Sequence, residues 1–462
     1  MKKKLTVVNP LNQNQIGEVD LVDESKVELF LKNAYTLHRD NKNKIPAYKR
    51  IEILKKTAKL MSEQAEDLSM LIALEGGKPL IDARVEVIRA IDGVETCAND
   101  LGNVVGKEIP MGLTPSADNR ISFSIREPIG PVVAVSAFNH PLNLIVHQVA
   151  PAIAVGCPVI VKPSDDTPLC CEKFVNFLYE SGLPQDWLSF APCEIPVAEK
   201  LVTDQRVAFF SFIGSAKVGW YLRSKLAPGV RFALEHGGAA PVIICPSANT
   251  DELIPKLIKG GFYHSGQVCV SVQRVFVVDS VAKDLAEKLS VSANNLTVGD
   301  ATDENTDCGP LIRPSEVDRV EQWINNAKNS GTEIICGGER LSKTTFAPTI
   351  LLNPDPTLEV SNSEIFGPVI CLYDCGSNEE AVNRSNSLDF AFQSSVFSND
   401  LKETMYLFNN LDSTAVMIND HTAFRVDWMP FAGRRKSGYG TGGISYTMED
   451  MTQLKMAVIN NS

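Results

Sequence analysis

The chain is predicted to be an α/β protein whose parallel sheets are covered by helices on both faces. Two observations predict this. Short runs rich in Val, Ile and Phe recur at 131–138, 157–163, 207–214 and 241–246, each separated from the next by a stretch able to hold a helix. The same alternation then resumes with strand-like runs at 273–280, 333–338, 368–375 and 414–420. Two α/β units of similar size, dividing near Glu235–Gly238, are the simplest arrangement.

The elements follow in order. From Ala47 to about Gly76 the apolar residues Ile51, Leu54, Ala58, Met61, Ala65, Leu68 and Ile72 recur at three- and four-residue steps. This predicts one amphipathic helix stopped by Gly76-Gly77. A second such pattern starts after Pro79 and runs to about Gly102. The segment 117–130 alternates Ile121, Phe123 and Ile125 with Ser122, Ser124 and Arg126, the pattern of a half-exposed strand. Such a strand either pairs with another subunit or forms a surface hairpin on its own domain. In the second half, helices are expected around 282–294, 315–329, 378–386 and 400–410. No internal repeat or low-complexity segment interrupts the pattern.

Bulk properties exclude several classes of function. The 462 residues provide for two or three domains with sizeable cores. A formal net charge of −12 argues against a nucleic-acid or anionic-membrane partner. No window approaches the roughly 18 apolar residues of a membrane span. The basic start MKKKLTVVNP breaks at Asn9-Pro10, too soon for a signal-peptide core, so a cytoplasmic protein is expected. The 11 cysteines include no CxxC pair and are expected to be reduced and mostly buried. The six histidines have no ligand spacing, so no metal site is expected.

One G-x-G-x-x-G match, Gly438–Gly443, follows the basic run Arg434-Arg435-Lys436 rather than a strand, and reads as a turn-forming loop. A better phosphate site is Gly214-Ser-Ala-Lys-Val-Gly219, placed between the strand-like run at 207–213 and a helical pattern. Its alternative is an ordinary strand–helix turn with Ser215 as cap. Lys162-Pro-Ser-Asp165 stands at the end of the strand-like run at 157–163, the position at which such sheets bind ligands. An acid there suits ribose hydroxyls and repels a 2′-phosphate, favouring NAD over NADP; the alternative is an exposed turn. The stretch SGQVCVSVQR (265–274) sets Cys269 between a glycine turn and an apolar alternating run, which allows either a small core residue or a nucleophile.

Seven motifs, in order over most of the chain, resolve that choice: FNHPLN (138–143), VKPSDDTP (161–168), FIGSAKVG (212–219), LEHGG (234–238), GQVC (266–269), EIFGPV (364–369) and PFAGRRKSG (430–438). Together they resemble the aldehyde dehydrogenase superfamily. The resemblance implies that fold, with two Rossmann-like parallel-sheet domains and a small β oligomerisation element. It implies an NAD-binding domain over 1–116 and 131–236, a catalytic domain over 237–432, and an oligomerisation element from 117–130 and 445–462, in a homodimer or homotetramer. Cys269 would be the nucleophile, passing through a thiohemiacetal and a thioester. The Asn139 amide and the Cys269 backbone N–H would hold the oxyanion, and Glu235 would activate the hydrolytic water. For the cofactor, NAD with NADP possible, Lys162 and Asp165 would reach the adenosine ribose. Gly214, Ser215 and Gly219 would form the pyrophosphate turn, with Glu364 and Phe366 at the nicotinamide ribose.

Five positions in four motifs depart from the family pattern. Ala137-Phe138-Asn139 replaces Pro-Trp-Asn, Glu235-His236-Gly237-Gly238 replaces Glu-Leu-Gly-Gly, and Asp165 replaces Glu; Phe431-Ala432-Gly433 replaces Phe-Gly-Gly. A packed, neutral His236 is expected. The retained Glu235 favours release of a free acid over acyl transfer to coenzyme A.

The segments 126–132, 138–144, 266–272 and 424–431 look most like the branch with lactaldehyde, glycolaldehyde and phosphonoacetaldehyde dehydrogenases. A small polar or anionic aldehyde is therefore expected, with His140 and Arg425 in the segments that line the substrate tunnel. Arg425 has an alternative role, bracing its loop against Asp427 or another acid. Competing functions are a semialdehyde dehydrogenase of the succinate semialdehyde type, a non-catalytic member of the fold, and a thiol hydrolase with His236 or His264 as base.

Overall fold

The computed structural model describes residues 3–40, 42, 44–279 and 282–461. Its framework is two separate sheets. The first runs, by position, Gly438–Tyr439, Arg231–Glu235, Phe209–Ile213, Val132–Val135, Val159–Lys162 and Leu188–Phe190. All neighbours are parallel except the short first strand, which pairs antiparallel with Arg231–Glu235. Strand order reverses at Val132–Val135, whose two neighbours lie later in the chain. The carboxyl edge at that reversal is where open α/β sheets bind ligands. Ser136, Lys162, Gly214 and Glu235 all stand there, at or just past the ends of four adjacent strands.

The second sheet has seven strands in the order Glu333–Cys336, Thr349–Leu352, Val369–Cys375, Arg274–Val278, Pro241–Ile244, Gln393–Phe397 and Ala415–Ile418. Only its first pair is antiparallel. The chain crosses from one sheet to the other between Glu235 and Pro241. It returns late, through Gly438–Tyr439 and the helix Ile444–Asp450, which packs on the helices Leu80–Asp100 and Asn143–Val155. The six-residue G-x-G-x-x-G stretch is therefore turn and edge strand, not a dinucleotide loop.

Two local expectations need correction. The single helix over 47–76 is two, Ala47–Glu63 and Ala65–Gly76, interrupted at Gln64. Glu66 and Asp67 then begin the second helix, where acidic side chains complement the helix dipole, and Gly77 ends it in the left-handed region at φ 65°. The strands Leu188–Phe190, Arg231–Glu235, Thr349–Leu352 and Gln393–Phe397 lay outside the predicted runs. The segment at 117–130 forms a half-exposed strand, Arg120–Pro128, which pairs within this chain with Thr452–Asn460 and Glu108–Ile109.

The polarity of that strand is inverted. Its serines face inward, with the Ser122 hydroxyl donating to the Ala457 carbonyl at 3.0 Å. Ile121 and Phe123, by contrast, are 53% and 43% exposed. Leu454, Met456 and Val458 on the paired strand are also exposed, so an apolar sheet face meets solvent. Among the described residues, no helix is long and apolar enough to cross a membrane.

Candidate active site

The nucleophile candidate sits on an unusual turn. After the helix Thr250–Phe262, His264, Ser265 and Gly266 take φ values of 47°, 55° and 71°, three successive left-handed residues. Two of the three are not glycine, which costs roughly 1–3 kcal/mol each and persists only where the surroundings enforce it. The enforcement is visible. The Ser265 hydroxyl donates to the Gly309 carbonyl at 2.6 Å. The Gln267 amide donates to the carbonyls of His264 and Pro310 and accepts from the Ile312 N–H at 2.9 Å. A methyl group on Gly266 would lie 2.0 Å from the Gly367 carbonyl oxygen.

This turn delivers Cys269 to a cleft holding about 760 Å³ of free space between the two sheets. Ten of the eleven cysteines are buried, and Cys269 alone is partly open. It lines the cleft. Burial, together with the Glu364 and Glu235 carboxylates, pushes its thiol up to about 12, and Arg425 opposes them.

Asn139 and Glu235 line the same cleft. Asn139 follows the strand Val132–Val135, and its Nδ2 donates to the Gln267 carbonyl at 3.0 Å, two residues before Cys269. A primary amide has two N–H donors, so one remains for a ligand. Glu235 ends the strand Arg231–Glu235 opposite Gly438. Burial pushes its carboxyl up to about 7, with Arg425 pulling back. Gly442 makes room for it, since a Cβ there would lie 2.2 Å from Oε1. The three expected catalytic residues thus converge from three elements.

The expected cofactor residues are placed less uniformly. Gly214, Ser215, Glu364 and Phe366 line the cleft. Ser215 stands at the N-cap of the helix Ala216–Arg223, but its side chain makes no cap hydrogen bond, leaving the hydroxyl for a ligand. Glu364 Oε1 is buried without a partner; burial pushes this carboxyl up to about 8, and the Gly238 N–H and Arg319 pull it back. A Cβ on Gly237 would overlap it at 1.6 Å. Phe366 meets Phe138 edge-on, with ring centroids 5.9 Å apart.

Lys162 and Asp165 pair with each other at 2.6 Å, and Ser164 between them lines the cleft. Gly219 lies under His236, where a Cβ would come within 2.0 Å of the ring. His236 Nδ1 meets the Gly214 carbonyl at 2.7 Å, between the Phe212 and Trp220 rings. Burial lowers its pKa, so this histidine is packed and neutral.

At the other end, His140 Nε2 meets the Tyr263 hydroxyl at 3.2 Å, and burial holds its pKa well below the usual range. Arg425 stacks over Phe431, its guanidinium carbon 3.7 Å from the ring centroid. Its Nη1 is buried with no hydrogen-bond partner, and burial lowers its pKa to about 10 against the pull of Glu235 and Asp427. Among the described residues, Arg425 makes no ion pair with Asp427 or another acid. Asp427 is taken instead by Arg89 (2.8 and 3.0 Å), His147 (2.7 Å) and the Asn143 amide (3.1 Å). Burial alone would raise the Asp427 carboxyl, but His147 and Arg89 hold it well below the usual carboxylate range. An acid satisfied three times over leaves the arginine two positions earlier free to face the cleft.

Arg89, Asn143, His147 and Tyr263 were not among the expected site residues, although all line the cleft. A signal for Arg89 exists: Asp82, Glu86 and Arg89 repeat at helical spacing on a face otherwise made of Ala83, Val87 and Ala90. His264 is fully buried, both ring nitrogens lack partners, and it does not line the cleft. Among the described residues, no group of three or more His, Cys, Asp or Glu could hold a metal ion.

Comparison with known proteins bears on this geometry. The model of the aldehyde dehydrogenase family matches residues 1–457. The chain is 35% identical over 465 residues to lactaldehyde dehydrogenase of Methanocaldococcus jannaschii, spanning 99% of this chain and 98% of that relative. It is 33% identical over 460 residues to 3-sulfolactaldehyde dehydrogenase of Priestia aryabhattai, spanning 99% and 95%. The solved structure of glyceraldehyde-3-phosphate dehydrogenase GapN from Methanocaldococcus jannaschii, complexed with NADP, superposes with a TM-score of 0.94 at 34% identity, over 100% of this chain and 99% of that one.

Proposed function

The chain belongs to the aldehyde dehydrogenase family, and from that premise we propose that it oxidises a small anionic aldehyde to the free carboxylic acid with NAD(P). The observation that carries the reading is the convergence of Cys269, Asn139 and Glu235 on one cleft, with Arg425 beside them and its Nη1 lacking a hydrogen-bond partner.

The residues present fit a dinucleotide. Glu364 Oε1, Ser136 Oγ and Arg319 Nη1 are buried polar atoms without partners, and all three residues line the cleft, as does Ser215 with its unused hydroxyl. These are groups suited to ribose hydroxyls and a diphosphate. When bound, the cofactor supplies the hydride acceptor. Everything else falls to the chain. The Cys269 sulfur attacks the aldehyde carbon to form a thiohemiacetal, its proton passing to water in the cleft. The free Asn139 N–H and the Cys269 backbone N–H stabilise the oxyanion. After oxidation to a thioester, Glu235 takes a proton from water, hydroxide adds to the carbonyl, and the C–S bond breaks to release the acid. A carboxyl raised to about 7 is suited to this, since it is substantially ionised near neutral pH.

Arg425 is the proposed anion partner for the substrate's charged group, with His140 beside it. The sulfonate of the sulfolactaldehyde relative's named substrate and the phosphate of GapN's are both groups that a buried guanidinium recognises. Replacing Arg425 by methionine is expected to lower kcat/KM for sulfolactaldehyde or phosphonoacetaldehyde roughly 100-fold while changing glycolaldehyde turnover little. An equal loss on all aldehydes would contradict this assignment. The same panel run with NADP tests the cofactor. The Asp165 carboxylate beside Lys162 predicts a preference for NAD, and better turnover with NADP would reverse that part of the reading.

The six-stranded unit (1–116 and 131–236) is the proposed cofactor-binding domain, and 237–432 the catalytic one. The exposed apolar face of Arg120–Pro128 and Thr452–Asn460 is proposed to pack on another copy of the chain, giving a dimer or tetramer. Sedimentation should show that assembly, and replacing Phe123 and Met456 by aspartate should shift it to monomer. A wild-type sedimentation pattern in that variant would contradict the contact.

A further inference from the structure

Three charged side chains stand in a row on the buried face of the helix Leu80–Asp100, at the i, i+4, i+7 spacing that aligns residues along one face. Each reaches a different wall of the active site. Asp82, 2% exposed, pairs with Lys259 and accepts from the His264 backbone N–H at 3.4 Å, where the left-handed turn to Cys269 begins. Glu86, fully buried, takes the equally buried Lys78 ammonium on one carboxylate oxygen. Its other oxygen accepts from the backbone N–H groups of Leu142 and Asn143 at 2.9 and 3.0 Å, directly after Asn139. Arg89 grips Asp427, in the segment that carries Arg425.

Burying such groups is costly, and well-packed apolar side chains of similar volume would often stabilise a helix face as well or better. Helix packing alone therefore does not call for this row. Geometry does. The N–H groups at the start of the helix Asn143–Val155 have no partners within their own helix, and a carboxylate there both satisfies them and complements the helix dipole. Because Glu86 is itself held by Lys78, the acceptor position is determined from both sides. Lys78 also lies over the Tyr263 ring, 5.8 Å from its centroid, which ties the clamp to the residue preceding the nucleophile turn.

We propose that Glu86, clamped by Lys78, is a positioning residue for the oxyanion donor: it locks the turn 139–143 so that the Asn139 amide is held against the reacting carbon. Asp82 and Arg89 place the nucleophile turn and the substrate arginine from the same rigid helix. The inference rests on the reading of Asn139 as the oxyanion donor. Glu86 touches neither substrate nor cofactor and acts entirely through the 139–143 backbone.

A double-mutant cycle separates this from a role in stability alone. The pair Lys78→Met with Glu86→Leu removes both charges and the acceptor. The pair Lys78→Met with Glu86→Gln removes the charges but leaves an amide oxygen for the two N–H groups. In the wild-type background the leucine pair is expected to lower kcat by roughly 10- to 100-fold, less than the roughly 10²- to 10³-fold cost of removing an oxyanion donor outright, because the amide is displaced and not deleted. Affinity for NADH by fluorescence titration and the iodoacetamide alkylation rate of Cys269 should stay near wild type. The glutamine pair should recover most of kcat.

In an Asn139→Ala background the leucine pair should lower kcat little further, because the amide it positions is gone. An equal fractional loss in both backgrounds, or no recovery with glutamine, would overturn the proposal. Wild-type kcat for Asn139→Ala alone would instead overturn the oxyanion assignment beneath it. Where the leucine pair does not fold, Glu86→Asp carries the same prediction, since it keeps the charge for Lys78 but withdraws the acceptor by one methylene.

Discussion

Replacing Cys269 by alanine is expected to reduce aldehyde oxidation by at least ~10⁴-fold, with the fold and NADH binding retained. The size of the effect follows from the absence of a substitute. The other ten cysteines are buried, so no second thiol can take over. Loss of one sulfur from a partly open position leaves Val268 and Val270 packed as before. A steady-state assay at 340 nm, read beside a fluorescence titration with NADH, separates lost chemistry from lost binding. Residual turnover above a few per cent of wild type would mean that the thiol is not the nucleophile. Oxidation without nicotinamide reduction would point to hydrolase chemistry instead. Neither histidine suits that alternative: with Nδ1 on the Gly214 carbonyl, the basic nitrogen of His236 is Nε2, which is buried against Gly219, and His264 lies outside the cleft.

Glu235→Gln is expected to act on a different step. The amide fills the same space but takes no proton, so the thioester forms and then accumulates. Rapid-mixing absorbance should show about one NADH per active site. The steady-state rate after it should be roughly 10²- to 10⁴-fold slower than wild type, the usual contribution of a positioned general base. The pH dependence has a definite sign. Glu235 works as the carboxylate, and its pKa is raised to about 7. Wild-type turnover limited by hydrolysis should therefore fall as the pH drops through about 7, and the glutamine variant should lose that dependence. A full steady-state rate in the variant would move the base role to another group.

Much of this site is legible in the sequence, for a physical reason. Open parallel sheets present ligand-binding residues at their carboxyl edge, so Asn139, Lys162 and Ser215 follow strand-like runs and can be found by reading for strands; Glu235 ends Arg231–Glu235, a strand outside those runs, and only the motif LEHGG marks it. Cys269 obeys no such rule. It precedes the strand Arg274–Val278, at the amino edge of the second sheet, which faces the carboxyl edge of the first. Only its company with Asn139 and Glu235 in the ordered motifs marks it. The role of Arg425 could not be read locally either, because Asp427, two residues away, offers an obvious pair. That pair is pre-empted by Arg89, 338 positions from Asp427 in the chain, and no sequence pattern reports the competition. The inverted face of Arg120–Pro128 shows a similar limit. Alternation correctly predicts a half-exposed strand, but which half is exposed depends on Ser122 and Ser124 finding backbone partners on the neighbouring strands.

The covalent role of Cys269 is tested most directly by mass spectrometry of the Glu235→Gln variant after incubation with NAD and sulfolactaldehyde or glycolaldehyde. The account predicts a mass increase equal to the substrate's acyl group, carried by the peptide containing Cys269 and removed by hydroxylamine. An unmodified Cys269 peptide in a variant that has reduced one equivalent of NAD, or an acyl group on any other residue, would contradict it.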